Sequence, residues 1–343
     1  MTTSSQKPGN ATGTAPESGS DHSGAALELP PPRGHWRNVW RRFRRRRLAL
    51  AGLVIISIIY LLGILAPVIQ THEYQDQNLA KSQQGPDTEN WLGTDILGRD
   101  IYTRVVWGIQ TTVIITITTF ITGSLILGVT MGLVAGYFRG WIDAIIMRMG
   151  EVVSAFPDIL LIILLAATLR PRVVEFARNV EDSTGISGLI SSGIVDYVVI
   201  GIALLPLSWF GMMRLVRGQV LALREAEYIE AARAMGTSTP RILFRHVLPN
   251  VVSPVIVAVS FGIGGIALSE VILSFFGLGV QRPRPSLGVM IGDVTARSGS
   301  ASVSVLRDHP EQLLAPIAVV WLMIFCWNII GDALNDVLNP RVR

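Results

Sequence analysis

Few side chains in this chain have the types and spacing that metal or redox chemistry requires. The five histidines are scattered along the chain with no metal-site spacing: His22, His35, His72, His246 and His309. The single cysteine, Cys326, lies inside an apolar segment, so no disulfide can form within one chain. The sequence therefore predicts no metal site.

Two carboxylates interrupt apolar segments, where a charge is costly unless it is paired or reaches water. Asp158 follows Pro157 within the apolar segment 149–169. Glu270 lies within the apolar segment 251–276, near the end that is predicted to face outward. We consider a role for both residues in a polar pathway or gate through the apolar part of the protein. For Asp158 the alternative is an ion pair at the inner membrane boundary, and for Glu270 it is contact with an outside receptor.

Motifs of catalysis are absent from the sequence. No GxxxxGK[ST] phosphate-binding loop occurs, and the only two lysines, Lys7 and Lys81, lie outside the apolar segments. HExxH and GxSxG are also missing, and the apolar segments hold no paired carboxylates. We therefore expect that the chain is not an enzyme, and that any ATP hydrolysis it depends on takes place in a partner.

The composition indicates a membrane protein. Half of the 343 residues are apolar and only 16% are charged, whereas soluble domains have about a quarter charged residues. Nearly all of the 29 basic residues are arginine, and they lie at the ends of apolar segments. A nucleic-acid-binding protein would instead align them along a groove, so we expect no nucleic-acid partner.

Six segments are long enough to cross a bilayer, since about 20 helical residues span a hydrocarbon core of about 30 Å. Their predicted bounds are 48–69, 111–138, 149–169, 194–213, 251–276 and 313–334. The first is predicted to be a retained anchor, because the apolar core of a cleaved signal peptide, its alternative, is about half as long. The sequence thus predicts an all-α helical bundle.

The other segments complete the predicted organisation. Residues 1–32, rich in Ser, Gly, Thr and Pro, are predicted to be a disordered tail. Residues 33–47 form a basic juxtamembrane segment that would contact anionic membrane lipid. An outer loop is predicted at 70–110, followed by the main membrane domain at 111–343, whose inner loop is 214–250.

Basic residues are distributed unequally between the two sides of the predicted bundle. With the N-terminus inside, eighteen of them fall on inner segments and ten on outer loops. This bias agrees with the positive-inside rule. Because six spans return the chain to its starting side, both termini and the loop at 214–250 are expected to be cytoplasmic.

The loop between the fourth and fifth spans reads IEAARAMGTSTPRILFRHVLPN from Ile229 to Asn250 and contains two helical patterns. The first, 221–235, is rich in helix formers, and Glu230 and Arg233 are spaced to pair on one face. Gly236 then follows at the position of a left-handed helix cap. We expect a helix that ends at this glycine.

The second pattern would begin at Ser238 or Thr239, with Pro240 in its first turn, and would stop at Pro249. Small and apolar side chains could fit a groove on a partner protein: Tyr228, Ala231, Ala232, Met235, Ile242 and Leu243. The alternative is an amphipathic hairpin that lies on lipid or on its own bundle.

EAARAMGTSTPRILFRHVLP resembles the EAA loop of permease subunits of bacterial ABC importers. The motif falls on Glu230, Ala231, Ala232, Gly236, Leu248 and Pro249, with Arg233 inside it. The isoleucine expected two residues before Leu-Pro is His246 here, but FRHVLPN is similar to the peptide/nickel branch. Segments that resemble the second permease subunit of that branch include WLGTDILGRDIYTR, WIDAIIMRMGEVVSAFPDILL and SEVILSFFGLGVQRPRPSLGVMI.

The likeness covers roughly residues 40–343, apart from an outer loop at 170–195 that looks longer than usual. It implies the type I ABC importer permease fold in the bacterial inner membrane. It also implies a second homologous permease, two cytoplasmic ATPase subunits that hold ATP and Mg, and an extracytoplasmic solute-binding protein, with no cofactor on this chain. In that family the EAA loop docks on the ATPase.

The resemblance further implies that this chain forms half of a translocation pathway for di- or oligopeptides. Nickel, haem or oligosaccharide cargo is the alternative within the family. A secondary transporter or channel would need an ion-coupling carboxylate deep in the bundle, to which only Asp158 comes close. A membrane enzyme or scaffold is a further alternative, for which the sequence contains no site.

Short patterns elsewhere predict local structure. Gly128, Gly132 and Gly136 form two GxxxG steps that predict close helix packing, within this subunit or against a second permease. GTDILGRD does not match a calcium loop and predicts a capped turn before the second span. The three glycines of the fifth span could line a pathway or allow a bend: Gly262, Gly264 and Gly265.

Overall fold

The computed structural model describes residues 35–185, 188–190, 192–295 and 305–338, and these are largely helical. The helices are α1 His35–Phe43, α2 Arg47–Ile64, α3 Ala66–Ile69, α4 Ile101–Phe138, α5 Gly140–Ser154, α6 Asp158–Thr184, α7 Ile194–Leu223, α8 Glu227–Ala234, α9 Thr239–Phe275, α10 Leu287–Thr295 and α11 Glu311–Leu338. Within these ranges, strand pairing is limited to one bridge between Thr94 and Asp100. The all-α prediction is confirmed, and the predicted tail at 1–32 lies outside the described residues.

Five of these helices are long and apolar enough to cross a membrane: α2, α4, α7, α9 and α11. The third predicted span, 149–169, is not one helix, because α5 and α6 pass the same test only together and are bent by 92° at their junction. Pro157 lies in this junction. It disfavours helical geometry at the residue before it, which explains the break. The described residues therefore contain five continuous candidate spans, and six if the bent pair α5 and α6 counts as one span.

Two spans extend beyond their apolar segments. α4 begins at Ile101, ten residues before the predicted start, because the Asp100 carboxylate accepts a hydrogen bond from the Thr103 N–H at 2.8 Å. The capped turn predicted for GTDILGRD is therefore present, and the loop predicted at 70–110 is shorter. α7 continues to Leu223 instead of ending at 213.

The segment predicted as a long outer loop at 170–195 is partly helical, since α6 continues to Thr184. Arg170, in the middle of α6, donates a hydrogen bond to the Asp196 carboxylate of α7 at 2.7 Å. The Asp196 carboxylate in turn accepts from the Gln281 N–H at 2.8 Å. These contacts join α6, α7 and the segment after α9 at one end of the bundle.

A row of glycines lets α4 lie directly against α7. A Cβ on Gly128, Gly132 or Gly136 would approach the Cβ atoms of Met212, Val216 and Val220 to 2.8, 2.7 and 2.7 Å, respectively. Side chains at these glycines would therefore push the two helices apart. Of the two alternatives for the GxxxG steps, the structure supports packing within the subunit.

Gly132→Ala tests this packing, since its added methyl group would overlap Val216 and the Met213 carbonyl oxygen. Overpacking of this kind costs about 1–3 kcal/mol. We expect the melting temperature of the detergent-solubilised chain to fall by several degrees. The matched control is Gly218→Ala on α7, where nothing lies within 4 Å of the new Cβ. Equal melting temperatures for the two variants would contradict the packing described here.

Candidate functional site

The loop between the fourth and fifth spans forms a helical hairpin whose first arm is α8. Its end has the predicted glycine cap: Gly236 has φ +75°, its N–H donates to the Arg233 carbonyl at 3.0 Å, and the Thr237 N–H donates to the Ala232 carbonyl at 3.1 Å. No atom lies within 4 Å of the position that a Gly236 Cβ would occupy. A side chain there would therefore project away from the rest of the chain.

The second arm is the beginning of α9, which starts after Ser238 with Pro240 in its first turn, as predicted. The prediction that this helix stops at Pro249 is wrong, because α9 continues without a break to Phe275. Pro249 falls in the first turn of the α-helical part that follows a π-helical stretch, Leu243–Val247. The hydrogen-bond pattern thus changes from π- to α-helical directly before this proline, which lacks an N–H.

One face of the hairpin packs on its own bundle. Its buried side chains are Ile229, Ala232, Ile242, Leu243 and Val247. All of these except Ala232 share an apolar cluster with Leu133 of α4 and with Val216 and Val220 of α7, and the half-buried Leu248 packs against the same cluster. Ala232, Ile242 and Leu243 are therefore not available to a partner, which corrects their predicted place in a partner groove.

The opposite face of the hairpin is exposed and combines apolar with small residues. We call it the hairpin face and define it by Tyr228, Glu230, Ala231, Met235, Gly236 and Phe244. Met235 is 79% exposed and Phe244 is 61% exposed, although both are large and apolar. Exposed apolar side chains with a small residue between them are typical of a surface that receives another protein.

The predicted ion pair between Glu230 and Arg233 is not formed. Instead, the Arg233 guanidinium lies 5.5 Å from the centre of the Tyr137 ring at the end of α4. The Glu230 side chain is exposed and has no hydrogen-bond or ion-pair partner among the described residues. Its carboxylate is therefore free to accept hydrogen bonds from another molecule. Pro249, the last motif residue, is exposed at the side of α9.

Ion pairs that the sequence did not reveal hold the base of the hairpin. Arg217 of α7 binds both carboxylate oxygens of Asp143 in α5, at 2.5 and 2.6 Å. Next to it, Arg139 pairs with Glu225 at 2.7 Å, and Arg224 donates to the Tyr137 carbonyl at 2.7 Å. The two residues of each contact lie more than 70 residues apart in sequence, so local sequence patterns could not predict these contacts.

Glu270 lies near the end of α9 at Phe275, and its role in a gate or receptor contact stays a prediction. It is completely buried between α9, α4 and the residue before α10. Its carboxylate accepts hydrogen bonds from the hydroxyls of Thr112 at 2.7 Å, Ser274 at 2.8 Å and Ser286 at 3.1 Å. Glu270 therefore joins three segments of the bundle, as a buried carboxylate with hydrogen-bond donors does.

Asp158 is the first residue of α6, directly after the break in the third span. Its side chain is exposed, and it has no ion-pair partner among the described residues, in contrast to the pairing considered as an alternative. It lines an open cavity of about 330 Å³ together with residues of α4, α7 and α9. Asp158 lines this cavity, whereas Glu270 lines none of the cavities described.

These features define a class of protein. A bundle of five continuous helices and one broken span, with a cavity inside it and an exposed hairpin at one end, is the architecture of a membrane transport subunit. The described residues contain no cluster of side chains that could hold a metal ion.

Residues 128–343 match the family described as the binding-protein-dependent transport system inner membrane component. Residues 34–86 match the N-terminal transmembrane domain of oligopeptide transport permease C. The dipeptide transport system permease protein of Alkalihalophilus pseudofirmus is 36% identical over 320 residues, which cover 92% of this chain and 94% of that protein. The oligopeptide transport system permease protein of Bacillus subtilis is 33% identical over 308 residues, 90% of each chain.

The glutathione transport system permease protein of Pectobacterium atrosepticum is 34% identical over 309 residues, which cover 90% of this chain and 92% of that protein. The chain therefore belongs to the family of binding-protein-dependent transport system inner membrane components. It is a permease subunit of an ABC importer with the type I permease fold, and this membership confirms the resemblance found in the EAA loop. As a permease, it is a transport subunit and not an enzyme.

Glu270→Ala tests the buried carboxylate. The substitution leaves the hydroxyls of Thr112 and two serines without their acceptor, and each buried unsatisfied group costs about 1–3 kcal/mol. We expect the free energy of unfolding in detergent to fall by at least about 2 kcal/mol. Glu270→Gln should cost less, since its amide oxygen still accepts from the serines. Glu151→Ala, at an exposed carboxylate of α5, is the control. A loss no greater than that of the control would refute this account of Glu270.

Proposed function

We propose that this chain forms half of the translocation pathway of an ATP-driven peptide importer. A second, homologous permease would form the other half. Two cytoplasmic ATPase subunits, which hold ATP and Mg, would bind the inner loops, and an extracytoplasmic solute-binding protein would deliver the cargo. This chain would bind no cofactor of its own. The relatives named for dipeptide, oligopeptide and glutathione transport support peptides as the cargo class.

The observation that carries the proposal is the two-faced hairpin. One face is buried on α4 and α7, so the hairpin moves with the bundle. The hairpin face exposes Tyr228, Met235 and Phe244, as a helix that enters a partner groove does. The exposed residues between Glu230 and Gly236 would bind the ATPase at this face, and the segment would transmit force without performing any chemistry.

The second arm of the hairpin would transmit movement of the bound ATPase to the fifth span. Because Thr239–Phe275 is one continuous helix, displacement of the hairpin displaces the fifth span along its whole length. When ATP binding draws the two ATPase subunits together, the hairpins of the two permeases would approach each other. The far ends of the spans would then move in response, giving access alternately from either side.

A secondary transporter is the alternative hypothesis, since the carboxylates of Asp158 and Glu270 lie within apolar segments. Glu270 is held by three hydroxyls and is completely buried, so it has no route to an aqueous pathway in the described structure. Asp158 reaches a cavity but has no second ion-binding side chain beside it among the cavity-lining residues described. Family membership and this arrangement favour the ATP-driven importer. Nickel, haem and oligosaccharides are the alternative cargo. Uptake assays that compare each of them with peptides would distinguish these alternatives.

The substitution Gly236→Leu tests the proposed ATPase contact. The new side chain meets nothing in its own chain, but it projects from the hairpin face. Its positive φ costs about 1 kcal/mol, which the fold tolerates. We expect normal amounts of the variant in the membrane, and at least a tenfold loss of the ATPase subunits that co-purify with it.

The control is Gly277→Leu. Gly277 has φ +74°, caps the other end of α9, and likewise has no atom within 4 Å of its Cβ position. The backbone cost is the same, but the site lies at the opposite end of the helix, so the ATPase should co-purify normally. Retention of the ATPase by Gly236→Leu, at the level seen with Gly277→Leu, would overturn the proposed contact.

Orientation can be tested with single cysteines at Ser238, in the hairpin, and at Thr88, in the loop before α4. Both side chains are exposed. The native Cys326 is buried and would be replaced by alanine. In sealed right-side-out vesicles, a membrane-impermeant maleimide should label Thr88→Cys at once and Ser238→Cys only after permeabilisation. The reverse pattern would contradict a cytoplasmic hairpin and cytoplasmic termini.

A further inference from the structure

The cavity at Asp158 lies deep in the bundle and is bordered by four helices. Ser208 lies at the middle of α7, and Gly262 lies near the middle of the α-helical part of α9. Asp158 reaches the same depth because the third span is broken and α6 begins at this level. The cavity holds about 330 Å³ and is open on one side.

Asp158 gives the cavity a negative charge. Among the described residues, it is the only charged side chain that lines this cavity or the adjoining one of about 150 Å³, and Asp158 and Ser269 line both. The helix dipole of α6 places about half a positive charge at its N-terminus, which offsets only part of the carboxylate charge. A cation is therefore favoured at this position.

Three serine hydroxyls in the cavity walls act as acceptors. The hydroxyl of Ser124 donates to the Ser208 carbonyl at 2.7 Å, that of Ser208 to the Leu205 carbonyl at 2.9 Å, and that of Ser269 to the Gly265 carbonyl at 3.0 Å. Because each hydrogen is directed at the backbone, the lone pairs of the oxygens remain for a ligand. Carboxylate and hydroxyls together therefore suit a ligand group that donates several hydrogen bonds.

The walls leave room for the main chain of a ligand. Gly211 and Gly265 have no atom within 4 Å of their Cβ positions, so the surface beside them is open. Phe120 and Ser124 reach the cavity from a π-helical stretch of α4, Phe120–Val129, and such stretches occur frequently at functional sites. The rest of the wall is largely apolar, and it offers a ligand side chain no further charge: Phe120, Leu204, Leu207, Met212, Ala258 and Ile266.

We propose that this cavity is a subsite for the protonated α-amino group of a peptide in transit, with Asp158 as its anionic contact. The inference rests on the function proposed above. An ammonium group has three N–H donors and no acceptor, which matches a site made of acceptors. Every unmodified peptide carries this group, so a subsite for it accepts peptides of varied sequence. One carboxylate at an open cavity binds weakly enough to release the cargo.

The charge of the site is tested with a reporter cysteine in the assembled importer in lipid nanodiscs. The reporter is Ser269→Cys in a chain that also carries Cys326→Ala. Its labelling rate is measured with a cationic and with an anionic methanethiosulfonate. Each rate is divided by the rate at which the same reagent labels a free thiol in solution. We expect the cationic reagent to react about tenfold faster, which corresponds to about 1.4 kcal/mol. Adding Asp158→Asn should bring the ratio close to one, and Asp158→Glu should preserve it.

The control for this measurement is Asp182→Asn, which removes an exposed carboxylate near the other end of α6 and should leave the ratio unchanged. A ratio near one in the chain that retains Asp158 would show that the site has no net negative charge. That result would overturn the proposal.

The ligand class is tested with L-alanyl-L-alanine and its N-acetyl derivative as free probes. The dipeptide should slow labelling of Ser269→Cys, whereas the acetylated form, which lacks the ammonium group, should not. Equal protection by both probes, or protection by neither, would overturn the subsite. If the importer takes up peptides and holds its ATPase but fails these tests, only the subsite is wrong. If the chain binds no ATPase, the proposed function itself fails.

Discussion

The structure depends on the continuity of one helix, Thr239–Phe275, which begins in the loop hairpin and ends at the far side of the bundle. A hinge at Pro249 would separate the hairpin from the fifth span and let it move independently. Instead, the π-helical stretch Leu243–Val247 leads directly into the α-helical part that contains Pro249. A force applied to the hairpin is therefore applied to the span.

The rest of the subunit keeps that helix attached to its neighbours. The buried face of the hairpin is continuous with the apolar cluster shared by α4, α7 and α9. α4 and α7 lie in close contact through the glycine row, so they move together as one support. Further along α9, Glu270 joins it to α4 and to Ser286 through buried hydrogen bonds. The bent pair α5 and α6 borders the cavity at Asp158, the first residue of α6.

The sequence predicted the features that depend on local patterns. Apolar length predicted the spans, and glycine spacing predicted the close helix contact. The Gly236 cap followed from the need for a residue that tolerates positive φ. The end of the second arm was predicted wrongly, because the effect of Pro249 depends on the hydrogen-bond register set by the π-helical stretch before it. The environment of Glu270 was also missed, since its partners Thr112 and Ser286 come from distant segments that only the fold brings together.

The hairpin and the fifth span are proposed to move as one rigid body when ATP binding moves the ATPase subunits. Spin labels at Ser238 and Phe276 measure it most directly, since they lie at the two ends of α9, roughly 55 Å apart. In the intact importer this distance should be the same without nucleotide and in the ATP-trapped state. The distance between the two Ser238-equivalent positions of the paired permeases should shorten on trapping. A changed length between Ser238 and Phe276, or hairpins that do not approach, would contradict the account.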